Sequence, residues 1–124
     1  NAFETHTLNY LLTTGSVTRP TTWYIGLFTS DPTDTGAAGT EVSGSAYART
    51  AVTFSVTADV ASNTAGVEFP AATGGNWGTI GWIGIMDAAT GGNMIIHSAL
   101  TVAKAINDGD VFRIPTGDLD ITAS

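Results

Sequence analysis

A chain of 124 residues that is 43 % hydrophobic has enough apolar material for one core, and with only 12 % charged residues its surface must be dressed in Thr, Ser, Asn and Gly. Eleven acids against Arg19, Arg49, Lys104 and Arg113 leave a net charge of −7, which argues against nucleic-acid binding and against an anionic membrane surface. The absence of cysteine excludes disulfides and thiolate metal sites, no apolar run reaches the roughly 20 residues of a membrane helix, and the N-terminus lacks a basic-then-apolar signal pattern. We read residues 1–124 as a single domain, with a helical segment over 1–15 and a β-sandwich over 21–124.

Residues Asn1 to Thr14 predict the one helix. Phe3, Leu8, Leu11 and Leu12 share an apolar arc at helical spacing, Tyr10 lies at its edge, Glu4 interrupts it, and Gly15 is a stop signal. A helix this short needs a dock, and we expect it to cap the sheet of its own subunit, with insertion into a partner as the alternative.

From Thr21 onward the chain reads as strands. Trp23 to Thr29 is the first, ending in Ser30-Asp-Pro-Thr-Asp-Thr-Gly36, where Pro32 fixes φ and Asp31 and Asp34 can bond local amides. An exposed loop is expected up to Gly44. Ala46 to Val56 then alternates, with Val52, Phe54 and Val56 inward and Arg49, Thr53 and Ser55 outward. Thr64 to Phe69 alternates too, with Ala65, Val67 and Phe69 inward, and Pro70 ends it.

Gly78 to Met86 is apolar on both faces: Ile80, Trp82 and Met86 point one way, Ile83 and Ile85 the other. A strand of that kind must be covered on both sides, so it belongs in the interior of a layered β structure. Asp87 to Asn93 makes a hairpin connection to a returning strand, Met94 to Val102. Asn107 to Asp110 turns into Val111 to Ile114, and Pro115 to Gly117 turns into Leu119 to Thr122, where Leu119 and Ile121 face in. Strands without intervening helices predict an all-β fold, an antiparallel β-sandwich or jelly roll of about seven to eight strands with a short N-terminal helix.

No reaction chemistry stands out. His6 and His97 lack partners at metal-ligand spacing, and His97 on a strand reads as a structural side chain. No serine sits in a G-x-S-x-G elbow. The acid pairs Asp31/Asp34, Asp108/Asp110 and Asp118/Asp120 decorate turns or an outer strand face, and Asn107 to Asp110 lacks the EF-hand spacing for calcium. Of the tryptophans, Trp82 is expected to be buried by its neighbours, while Trp77, beside Gly74, Gly75 and Gly78, is the candidate for partial exposure and sugar stacking. We expect no catalytic residue, no cofactor and no metal.

The strings Pro20-Thr-Thr-Trp-Tyr-Ile-Gly-Leu-Phe-Thr-Ser-Asp-Pro32, Gly39-Thr-Glu-Val-Ser-Gly-Ser-Ala-Tyr-Ala-Arg49 and Asp87-Ala-Ala-Thr-Gly-Gly-Asn93 follow one another, preceded by Phe3, Leu8 and Asn9-Tyr10-Leu11. As a set covering about Phe3 to Thr122, they resemble short virion proteins of tailed bacteriophages, often labelled tail fibre proteins. The resemblance implies a non-catalytic structural protein, made in the host cytoplasm and carried on the outer surface of the particle. Because the chain has neither shaft nor repeat, we read it within that class as a head decoration (cement) protein. Its partners would be the major capsid protein and copies of itself, as a dimer or trimer. The alternative is a tail fibre, tail-tip or baseplate component in host adsorption, under which a carbohydrate receptor enters. Expected contact residues are Phe3, Tyr10 and Leu11 of the helix, the loop from Asp31 through Asp34 to Gly44, and Trp77. Tyr47 and Arg49 join them, anchoring either that loop or a partner.

Overall fold

The structure, a computed structural model, describes residues 2–15, 21–33 and 38–122. Helix α1 covers Ala2–Leu12, followed by β1 (Trp23–Phe28), β2 (Thr50–Val52), β3 (Phe54–Thr57) and β4 (Val60–Asn63). The chain continues through β5 (Val67–Glu68), β6 (Gly78–Met86), β7 (Met94–Ile106), β8 (Arg113–Ile114) and β9 (Asp120–Thr122). The larger sheet has the order β2-β1-β6-β7, a second has the order β3-β4-β9, and β5 pairs with β8. All pairings are antiparallel, and the short connections β3–β4 and β6–β7 form hairpins. The protein is thus an all-β sandwich with nine strands among the described residues, slightly more than its sequence pattern predicts.

Strand β6 is the central strand of the larger sheet, and its residues from Ile83 to Met86 are all buried. One face carries Ile80, Ile83 and Ile85 into the main core with Ile25, Leu27, Phe69 and Phe112. The other face carries Met86 and the half-buried Trp82 into a smaller cluster with Phe28 and Met94. Both faces are apolar, but the second is filled by side chains of the same sheet and leaves Trp82 half-buried, and the faces are divided differently from simple alternation. Ile80 belongs with Ile83 and Ile85 because the register breaks between Ile80 and Trp82. Ile80 pairs with Lys104 and Trp82 with Ala99, so Leu100, Thr101, Val102 and Ala103 all stand opposite Gly81. A bulge of this kind reverses the inward-outward phase of everything beyond it.

The expected strand from Ala46 to Val56 is instead divided between two sheets. β2 pairs with β1, the chain crosses at Thr53, and β3 pairs with β4. Val56 is consequently 72 % exposed instead of inward, since β3 has left the core layer. Ala65, also expected inward, is exposed because the ladder between β5 and β8 begins only at Val67. Strand β4 was not expected, as its sequence Val-Ala-Ser-Asn has no clear alternation.

Aromatic rings knit the main core. Phe69 meets Phe112 edge-on with centroids 5.7 Å apart, and Tyr47 meets Trp77 edge-on at 5.3 Å. Fully buried Phe69, Ile25, Leu27 and Ile80 each contribute about 1.5–3 kcal/mol of transfer free energy. Asn63 is the one buried polar residue among the described residues, and all its side-chain groups are used. Its Nδ2 donates to the carbonyls of Ala65 (2.9 Å) and Pro115 (3.0 Å), and its Oδ1 accepts from the Leu119 amide at 3.0 Å. That cross-link fixes the segment leading into β9 against the end of β4.

Candidate interaction surface

Between Asp34 and Asp59 the only charged side chains are Glu41 and Arg49, and the fold brings them together. The loop that carries Glu41 is stitched to the end of β1: the Val42 amide donates to the Leu27 carbonyl and the Thr29 amide to the Thr40 carbonyl, each at 2.9 Å. Arg49 donates from Nε to Glu41 Oε2 and from Nη2 to Oε1, both at 2.8 Å, a two-pronged pair. Its Nη1 donates to the carbonyls of Ala88 (2.9 Å) and Gly91 (2.8 Å) in the β6–β7 hairpin. Tyr47 donates its hydroxyl to Glu41 Oε2 at 2.6 Å and accepts the Leu27 amide at 3.0 Å. Three separate stretches of chain are clasped by one partly buried ion pair.

The electrostatics follow from this packing. Burial pushes the Glu41 carboxyl up, but the bonds from Arg49 and Tyr47 outweigh it, so its pKa lies below the ordinary 4.5. Burial and the Glu41 acceptor hold the Tyr47 hydroxyl well above its usual range. The bond to Glu41 raises Arg49 further, so the pair stays ionised. A cleft of about 360 Å³ lies over the clasp, but the donors of Arg49 and Tyr47 are already engaged within the chain. The arrangement is suited to rigidity.

A second, larger concavity of about 440 Å³ opens between β7 and the segment entering β9. Ile83 and Ile85 of β6 lie at it, Ile96 and Leu100 come from β7, and Leu119 and Ile121 form the opposite wall. Asp118 and Asp120 stand on its rim. β7 and β9 are both sheet edges, paired on one side only, so the sandwich is open along this seam. The Asn63 cross-link sets the position of one wall. The sequence marked Leu119 and Ile121 as inward-facing, yet nothing in their spacing revealed that the facing strand would leave a gap.

The residues expected to meet partners do not form one patch. Tyr10 and Leu11 are exposed on α1, together with Leu8 and Leu12. The helix meets the strands chiefly at β7, an edge of its own sheet, and leaves those leucines exposed. Phe3's side chain and Asp34 lie outside the described residues. Asp31 is exposed, accepts the Thr33 amide at 2.9 Å, and lies 3.8 Å from Nε2 of His97 on β7. Tyr47 and Arg49 anchor the loop, as the clasp shows.

Trp77 corrects the expectation: it is 5 % exposed, with its indole donating to the Ser45 carbonyl at 3.1 Å. The close approach to the ring is made by a glycine elsewhere in the sequence, Gly44. A Cβ on Gly44 would come within 2.6 Å of the indole Cδ1. Glu41, the centre of the clasp, was not anticipated, although its isolation with Arg49 in an uncharged stretch was a readable signal.

Among the described residues no group of three His, Asp or Glu side chains is placed to hold a metal ion, and no helix is long and apolar enough to cross a membrane. A family model described as Podophage GP4 fiber I protein gp80 matches residues 1–122. No curated protein matches the chain.

Proposed function

The chain belongs to the podophage GP4 fiber I protein gp80 family and is therefore a bacteriophage virion structural protein; from that premise we propose that it is a tail fibre component that acts without catalysis. The fibre description of a family spanning nearly the whole chain is the observation that carries the reading. It favours the tail over the head decoration role that the absence of a shaft suggested. Physical features are compatible with it. The Glu41–Arg49 pair is engaged inside the clasp, and the exposed apolar surface is concentrated on a helix at one end of the chain. Such a body transmits force and holds neighbours, with host adsorption as its purpose. Trp77 does not supply a sugar platform, since its ring is enclosed. Any receptor contact must use another surface.

The test is to carry an epitope tag on the chain in intact particles and image gold-labelled antibody. Label at the tail is expected. Label spread evenly over the head would overturn the tail assignment and return the head decoration reading.

A further inference from the structure

The groove between β7 and the segment entering β9 is bounded by two strand edges. On the β9 side the direction of the main chain follows from its ladder. The Asn63 amide donates to the Leu119 carbonyl at 3.2 Å, and Ala61 stands opposite Ile121 in the same pairing. Antiparallel alternation therefore turns the amides and carbonyls of Asp120 and Thr122 away from β4, toward the open edge. Side chains alternate as well. Leu119 and Ile121 pack on the main core and line the groove, whereas Asp118 and Asp120 are exposed on its rim. Ser62 donates to one carboxylate oxygen of Asp120, which leaves the other for a further partner.

We infer that the groove takes an extended segment of a different protein, one in which aliphatic residues alternate with Lys or Arg. Laid beside β9, such a strand bonds to the open edge through its main chain, as in β-augmentation. Its aliphatic side chains lie over Leu119 and Ile121 and enter a space of about 440 Å³, room for a few side chains and not for a folded face. Its cationic side chains fall on the other face, opposite Asp118 and Asp120, where unlike charges across a strand pair are favourable. Charge also decides whose segment it is. A second copy brings a net charge of −7 to a rim that is already acidic. Within the 124 residues Arg19, Arg49, Lys104 and Arg113 stand far apart, so no stretch presents two cations on one strand face. The occupant is therefore another polypeptide. This inference goes beyond the tail assignment and does not depend on it.

The probe is a labelled synthetic peptide, acetyl-Lys-Val-Lys-Ile-Lys-Val-Lys-amide, titrated with the whole chain at about 0.15 M salt. Micromolar binding is expected by fluorescence anisotropy, with amide exchange slowed at Asp120 and Thr122. Asp118→Asn with Asp120→Asn should weaken binding about 10-fold. Asp59→Asn with Asp108→Asn, the same change of charge at residues that do not line the groove, should leave it within about 2-fold. Two altered peptides test the reading on the unchanged protein. N-methylation of alternate amides, and regrouping of the lysines at one end, should each weaken binding about 10-fold or more. Equal binding of the regrouped peptide, or no effect of neutralising Asp118 and Asp120, would overturn the inference and leave only general attraction to an acidic chain. Absence of binding at about 1 mM peptide would overturn it too. So would an affinity that falls as protein concentration rises, which would give the groove to a second copy.

Discussion

Arg49→Met should be the most damaging change of a charged residue in this protein. Methionine keeps much of the apolar stem but removes four donated hydrogen bonds, two to Glu41 and two to the carbonyls of Ala88 and Gly91. It also strands the Glu41 carboxylate with Tyr47 as its remaining clasp partner. Breaking a fully buried ion pair costs about 3–5 kcal/mol. Glu41 retains some solvent, with its side chain 24 % exposed, so the expected loss is at the lower end, about 3 kcal/mol. For a domain of this length that corresponds to a fall of about 10 °C in Tm. Urea titration followed by tryptophan fluorescence reads it directly, because Trp77 packs on Tyr47 of the clasp. Adding Glu41→Gln completes a double-mutant cycle, and the coupling should be about 2 kcal/mol. A loss under about 1 kcal/mol, or a coupling indistinguishable from zero, would show that the clasp behaves as an ordinary surface pair and refute the reasoning.

Other expectations follow from the same geometry. Because the folded Glu41 carboxyl titrates below its ordinary 4.5, its contribution is fully present above that value and is lost as pH falls through the lower folded value. Between about pH 5.5 and pH 3 the urea midpoint should therefore drop more for the wild type than for Glu41→Gln. Asn63→Ala should cost about 2–4 kcal/mol, since the buried amide of Leu119 and the carbonyls of Ala65 and Pro115 lose their partner. An unchanged denaturation curve would mean water replaces it. Trp77→Ala should cost about 3–5 kcal/mol and Trp82→Ala about half as much, an order of effects that melting of the two variants would check. Equal losses would show that Trp82 is as enclosed as its sequence context suggested.

Much of the architecture was legible because period-two alternation and turn residues are local signals. Trp23–Phe28, Gly78–Met86 and the hairpin at Asp87–Asn93 fall where their side chains dictate. What alternation cannot reveal is a change of phase or of sheet. Gly81 hides a bulge that moves Ile80 to the other face, and Thr53 hides the crossing that leaves Val56 in water. Both depend on which strand lies alongside, a non-local fact. The contact residues fared unevenly for a related reason. The apolar arc of α1 was plain in its sequence, but what it would rest on was not. Trp77 looked exposed because glycines flank it, whereas the glycine that lets backbone approach the ring is the distant Gly44. A pair of opposite charges alone in an uncharged stretch proved the better guide, since Glu41 and Arg49 have few other partners to choose from.

The excursion of Leu100 to Ala103 on β7 bears on how many copies can join. A long straight border would offer an endless row of amides and carbonyls, onto which molecule after molecule could be added as in amyloid growth. Four residues set against one interrupt that row midway, which disfavours open-ended stacking at this edge. Deleting the surplus residues would straighten the border and invite filaments.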